Sequence, residues 1–376
     1  MNAREVSEIR RRFRADKSNI THIRGCYVNE KKEIISEFHQ SMALLTQSES
    51  EELLAILKRT LSGTIGRNLV DITFNTNQVV SSDEHRLLMA LRSSNVNDTD
   101  AVHTFYERVI QSLNLETNYL ILLTCDAYDV PYRAKDGEEF DEGSSEVYNY
   151  ILCSICPVKP TKPALSFHAH ENAFKNLSPD WIISPPELGF LFPSFDDRCT
   201  NLYNALYYTR NTGENYRTFV DTVFNAPILM PAKIQKEAFQ DLLGEALEEE
   251  CRYDVVQSVR DQLCALIEEH KISKDPQPLK ISREGFKRLI TGSGVSEEKV
   301  ENFSERFGET FGAETTLSPK NLVDTRQTEV RTADVKISVS SERSDLVETR
   351  VIDGIRYVLV RVENGVEVNG VPVQID

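Results

Sequence analysis

The histidines of Phe167-His168-Ala169-His170-Glu171 are the residues best spaced for metal or acid–base chemistry. In an extended segment, residues two apart point the same way, so the imidazoles of His168 and His170 could share one cation or relay a proton. Nothing adjacent completes a ligand set. The carboxylates that folding would have to deliver are Asp196, Asp197 or Glu187, and His168, His170, Asp196 and Asp197 are therefore the catalytic candidates. Exposed surface positions are the default expectation for these histidines. The run Cys153-Ser154-Ile155-Cys156 has the spacing of a redox or zinc pair but sits in an apolar stretch, "YILCSICPV", that predicts a buried strand. A separation of three sends two strand side chains to opposite faces, and no second cysteine pair supplies further ligands, so core thiols are expected. The chain contains no GxGxxG, no P-loop lysine, no GxSxG and no HExxH, and no metal or cofactor is expected.

Contact chemistry is more abundant. Between Trp181 and Tyr216 aromatic residues crowd together, and Pro185, Pro186 and Pro193 exclude regular helix across "SPPELGFLFPSF". Asp196 or Asp197 is placed to cap a helix beginning near Arg198. On that helix Leu202, Leu206 and Thr209 would make one stripe, and Tyr203, Tyr207 and Arg210 another. Tyr and Arg dominate interface hot spots, so Tyr203, Tyr207 and Arg210 are the expected contact surface for a protein partner or for self-association. The alternative is that these aromatics complete the core. A second candidate surface is the N-terminal segment, where Arg4, Arg10, Arg11, Arg12 and Arg14 accompany a narrow apolar stripe of Val6, Ile9 and Phe13. Its expected role is a docked helix with a solvated basic face. Any nucleic-acid contact would have to run through Arg10, Arg11, Arg12 and Arg14, because the formal net charge of −16 repels phosphate over the rest of the surface.

The elements that must position these residues follow from period and punctuation. The expected class is α+β: a helical N-terminal region to about residue 115, a central mainly antiparallel sheet, a helical segment near 232–312 and a C-terminal β-meander. The expected organisation is an α+β body over 1–231, a helical segment over 232–326 and the meander over 327–376. "SESEELLAILKRTLSG" reads as a helix stopped at Gly63, "RNLVDITFN" as a strand, and residues 118–127 and 146–158 as neighbouring strands. The acidic stretch "KDGEEFDEGSSE" between those strands reads as an exposed connection with a mobile tip. Residues 282–309 suggest a helix-turn-helix, but Glu297, Glu298, Glu301 and Glu305 are wrong for a DNA groove, so that pair is expected to be structural. Beyond Val335 the period becomes two, and Asp353-Gly354 and Asn364-Gly365 mark hairpin turns.

Composition bounds the rest. Of 376 residues, 40% are hydrophobic and 27% charged, the make-up of a globular chain. No apolar run approaches the roughly 20 residues needed to cross a bilayer. The N-terminal residues lack the apolar segment of a secretory signal, and seven scattered cysteines suit a reducing compartment, so a cytoplasmic location is expected.

Several long strings carry a resemblance: "EIRRRFRADKSNITHIRGCYVNEKKEIISEF", "DAYDVPYR", "YILCSICPVKPTKPALSF", "PELGFLFPSFDDRCTNLYNALYYTRN" and "SDLVETRVIDGIRYVLVRVENGVEVNGV". On these the chain resembles a bacterial family of domains of unknown function, common in Gram-positive anaerobes, over nearly its full length. The resemblance implies a cytosolic bacterial protein and carries over no activity and no catalytic residue. The order of an α+β body, helices and terminal strands is more loosely similar to nucleoid-associated proteins. The expected function is a non-enzymatic binding or regulatory role through protein contacts. The alternatives are a nucleic-acid-associated role through the basic N-terminal helix, and an enzyme with a site around His168, His170, Asp196 and Asp197.

Overall fold

Along residues 148–158, side chains alternate strictly between two hydrophobic cores. Tyr148, Tyr150, Leu152, Cys156 and Val158 enter one, and Ile151, Cys153 and Ile155 the other. A strand buried on both faces needs a layer over each, and the first unit supplies both. The computed structural model describes residues 1–133, 139–161, 164–168, 170, 172–177, 181–363, 365–368 and 370–374. The chain divides into two compact units, Met1–Ile234 with Pro276–Pro278, and Gln235–Asp275 with Leu279–Asp376.

In chain order the first unit comprises α1 (Ala3–Arg10), β1 (His22–Val28), β2 (Ile34–Ser41), α2 (Gln47–Arg59), β3 (Leu69–Thr73), α3 (Thr76–Ser81), α4 (Asp83–Ser93), α5 (Thr99–Ser112), β4 (Tyr119–Arg133), β5 (Glu139–Pro160), β6 (Ala164–His168), β7 (Ala173–Leu177), β8 (Trp181–Ile183), β9 (Leu188–Phe192), β10 (Ser194–Asp196), β11 (Cys199–Asn201), β12 (Asn204–Thr209) and α6 (Arg217–Phe224). One antiparallel sheet runs in the order β2-β1-β4-β5-β9-β12-β3, and β8 pairs with the end of β5. Helices α4, α5 and α6 cover one face through Leu88, Leu91, Phe105, Val109, Phe219 and Phe224. Helices α1 and α2 cover the other through Val6, Ile9, Leu54 and Leu57. Both of these begin with a capping box, Asn2 with Glu5 and Thr46 with Glu49, which satisfies N–H groups that the first helical turn leaves free.

The α+β class and the central antiparallel sheet stand as expected from sequence. Three local expectations change. Residues 22–41 are the strand pair β1–β2, joined by a turn in which Lys32 takes φ 65°, within a region read as mostly helical. The segment from Arg198 to Thr209 holds the two strands β11 and β12 and no helix. The acidic stretch is largely strand from Glu139 onward, and the tip at 134–138 lies outside the described residues.

The second unit contains α7 (Ala232–Leu247) from Gln235 onward, α8 (Tyr253–Ser273), β13 (Ile281–Ser282), α9 (Arg283–Gly292), α10 (Glu297–Phe311), β14 (Thr316–Leu317), α11 (Pro319–Leu322) and strands β15 (Gln327–Arg331), β16 (Lys336–Ser340), β17 (Val347–Ile352), β18 (Ile355–Val360), β19 (Val366–Val368) and β20 (Val371–Val373). Its core joins Phe239, Leu243, Val259, Leu263, Phe286 and Phe303 from α7 to α10. The α9–α10 pair is braced by acidic partners, Lys287 to Glu301 and Arg306 to Glu245 of α7. The terminal strands pair as three successive hairpins. The turn of β17–β18 is Asp353-Gly354 with φ 51° and 79°, both left-handed, as a two-residue type I′ turn requires. Asn364 of the second such dipeptide lies outside the described residues.

Candidate functional site

Asp196 and Asp197 cap no helix. They end β10 and enter a two-residue turn, Asp197-Arg198, with φ 50° and 59°, that leads into β11. That turn is held by α1. The Glu5 carboxylate accepts the Asp197 N–H at 2.8 Å, and the Glu8 carboxylate accepts from Arg198 at 2.9 Å and from the Tyr128 hydroxyl at 2.8 Å. Asp196 accepts from the Asn201 amide at 2.7 Å and pairs with the Met1 α-amino group at 2.7 Å, which also meets Asp71 at 3.1 Å. Burial pushes the Asp196 carboxyl upward, but the amine and the asparagine amides outweigh it and hold the group below its usual range. A carboxylate held by the terminal amine and two asparagine amides acts as a structural tie.

The arginine cluster is divided in the same region. Helix α1 ends at Arg10, and the chain then turns Arg12 inward over the Tyr128 ring, 4.8 Å from its centroid. Its guanidinium reaches buried Asp126 at 3.3 Å and the Ala127 carbonyl at 3.3 Å. Asp126 further accepts from the Asn19 N–H at 2.9 Å, its neighbour Ala127 N–H at 3.0 Å and the Tyr150 hydroxyl at 2.8 Å. Burial, then the Asp126 charge, pushes the Tyr150 hydroxyl well above its ordinary range, so Tyr150 remains a donor. Arg14 pairs with Asp16 at 3.0 Å, while Arg11 is exposed and Arg10 half-buried. The expected basic face is thus not one surface, because the helix stops before Arg12 and Arg14 can line up on it.

Tyr203, Tyr207 and Arg210 likewise fail to form one stripe. In β12 the alternation sends Ala205 and Tyr207 into one core and Leu206 and Tyr208 into the other. Tyr207 is 0% exposed and donates to the Asn215 carbonyl, whereas Tyr203, just before the strand, is 46% exposed. Arg210 is exposed but ion-paired with Glu187. Phe190, Phe192 and Phe195 are all buried, so the aromatic crowding between Trp181 and Tyr216 is mostly core.

Cys153 and Cys156 diverge into opposite cores as their spacing predicts. All seven cysteines are free thiols, and each is held above its usual pKa: by burial for six, pushing Cys26, Cys125 and Cys156 up to about 12, and first by a hydrogen bond to Glu146 for exposed Cys199. None of these environments favours a thiolate. Among the described residues no group of three His, Cys, Asp or Glu side chains is placed to hold a metal ion.

His168 and His170 belong to a different feature. After Pro160 the chain leaves the main sheet, forms the separate hairpin β6–β7, and returns as β8, where Trp181 pairs with Pro160. His170 lies exposed in the β6–β7 turn; the His168 side chain and Glu171 lie outside the described residues. This excursion carries a run of apolar side chains turned to solvent: Leu165 at 66%, Phe167 at 52%, Phe174 at 69%, Trp181 at 53% and Ile182 at 58% exposure. Phe167 and Phe174 face each other across the hairpin with ring centroids 5.2 Å apart. Sequence reasoning missed this surface, although "LSFHAHENAF" carries alternating large apolar residues on either side of a polar turn. That pattern is a hairpin signal, and the histidines drew the reading toward chemistry instead.

A family model for a domain of unknown function, DUF4317, matches residues 1–371. The chain belongs to that family. The match takes in both units, so this DUF4317 chain is a single family domain in sequence although it forms two compact bodies. A search of curated proteins finds no match. Among the described residues, no helix is long and apolar enough to cross a membrane.

Proposed function

We propose that the chain is a non-enzymatic binding or regulatory protein that works through protein contacts, with the excursion from β6 to β8 as its contact surface. The observation that carries this reading is the exposure of Leu165, Phe167, Phe174, Trp181 and Ile182 on a segment whose base is pinned to the main sheet by the β5–β8 pairing. Exposed apolar residues that share a face mark interaction surfaces, and Leu165, Phe167 and Phe174 share one on the β6–β7 hairpin. Burying one such aromatic side chain contributes roughly 1.5–3 kcal/mol, so three or four suffice for a specific interface. Two of the catalytic candidates already serve the fold, the Asp196 carboxylate through the Met1 amine and Asn201 and the Asp197 N–H through Glu5, which favours a structural role for that turn.

The test is site-specific photo-crosslinking in the native host. A photoreactive residue replacing Phe174 should give discrete protein adducts that are absent when it replaces exposed Glu52. Those adducts should disappear in the Phe167→Ser background, with the melting temperature within about 2 °C of the parent because both rings are already in solvent. Adducts equal to the Glu52 control, or adducts indifferent to Phe167→Ser, would overturn the reading.

A further inference from the structure

The second unit contains a cavity of about 650 Å³ between α7, α8 and β15, within the size range of small-molecule sites. Its floor is apolar, formed by Phe239, Leu243, Val259, Leu263 and Leu322. Four cations line it, Lys236, Arg252, Arg260 and Arg331, and three of them already have a carboxylate partner. Arg252 pairs with Asp254 at 3.2 Å, Arg260 with Asp261 at 3.3 Å, and Arg331 with Glu329 at 2.8 Å. Arg260 also donates to the carbonyls of Asp324 at 2.9 Å and Gln327 at 3.4 Å, which fastens β15 to α8. Lys236 is different: half-buried on the cavity wall, it has no ion-pair or hydrogen-bond partner among the described residues. The remaining lining carboxylate, Asp324, accepts the Arg326 N–H at 2.8 Å. The hydroxyls of Tyr253 and Thr328 belong to the same lining and have no hydrogen-bond partner among the described residues.

An apolar floor, an ammonium with no ion-pair partner and two hydroxyls with no hydrogen-bond partner among the described residues suit an amphipathic anion. We propose that this cavity binds a small organic carboxylate with an apolar body, its carboxylate on Lys236 and its hydrocarbon over Phe239, Leu243 and Leu263. A carboxylate gains a charge-assisted hydrogen bond there, while an ammonium would meet the lysine's repulsion. The site is independent of the contact surface on the first unit.

Octanoate and 3-phenylpropionate serve as probes, with octanamide and octylamine as neutral and cationic counterparts, titrated into the full chain and followed by methyl NMR. Both acids should shift the Leu243, Val256 and Leu263 methyls and bind at least about tenfold more tightly than octanamide, the loss of one charge-assisted bond. Lys236→Met, which keeps the chain's length and apolar stem, should reduce acid affinity about tenfold with an unchanged melting temperature. Val256→Trp, at a position already 42% exposed on the cavity lining, should block both acids. Octanamide or octylamine binding as tightly as octanoate, Lys236→Met binding as the parent does, or no methyl shift with either acid at millimolar concentration would each overturn the proposal.

Discussion

Asp126 gathers a guanidinium, two backbone N–H groups and a tyrosine hydroxyl in a buried pocket, so the consequences of removing its charge are large. Asp126→Asn should lower stability by about 3 kcal/mol, because it leaves Arg12 largely buried without its counter-charge; Tyr150→Phe should cost only about 1 kcal/mol. Urea unfolding of the two variants beside the parent measures both. His22 offers a pH test. Burial, and then His39 with its ring 4.6 Å away, lowers the His22 pKa below its ordinary value of about 6.5. The unfolded chain therefore takes up the proton more readily than the folded one. Stability should fall as pH drops through about 6.5 toward the lower folded value, and His22→Gln should flatten that part of the melting-temperature profile. At this scale the sequence was legible where one rule decided the outcome, as with Cys153 and Cys156, which a period of two must separate. It was illegible for Asp196 and Arg12, whose partners lie at Met1 and Asp126; no local pattern announces those pairings.

Among the elements, α2 and β9 meet unusually closely. A Cβ on Gly189 would lie 2.3 Å from the Cys153 carbonyl oxygen and 2.7 Å from the Thr60 methyl, while the Thr60 and Ser154 hydroxyls bond at 2.6 Å beside it. Gly189→Ala should therefore destabilise by about 1–3 kcal/mol through overpacking, seen as a lower melting temperature and faster amide exchange in β5 and β9. Helices with caps and amphipathic spacing, such as α2, α4 and α5, were readable, and so was the Asp353-Gly354 turn. Strand β12 was not, for a physical reason. Covered on both faces, it shows no polar alternation, and Leu202, Leu206 and Thr209 happen to fall at helical spacing. Strands β1 and β2 were hidden differently: β2 lies at the sheet's edge with most of its side chains exposed, so its composition resembles a loop.

For the whole molecule, two units with separate cores imply that damage to one core need not spread evenly. Phe303→Ala should remove about 3–5 kcal/mol from the second unit. Native-state hydrogen exchange should then report lost protection in α7 to α10 with β4 and β5 unchanged; an equal loss in both would show one cooperative block instead. The α+β class could be read from the change of hydrophobic period along the chain, but the exposed excursion and a Lys236 with no partner among the described residues became visible only in the folded chain.

The β4–β5 hairpin also sets an order of assembly. Its pairing begins at Arg133 with Glu139 and runs outward to Tyr119 with Pro157, so each successive pair closes a loop only slightly larger than the last. At the opposite extreme, β3 joins β12 by pairing residues 69–73 with 204–208. Loop-closure entropy makes the first contact early and the second late. The central hairpin should therefore form first, with β1 and β9 adding from either side and the β3 edge docking last. In pulse-labelling of refolding chains, amides of β4 and β5 should become protected before those shared by β3 and β12; simultaneous protection would mean the sheet condenses as a whole.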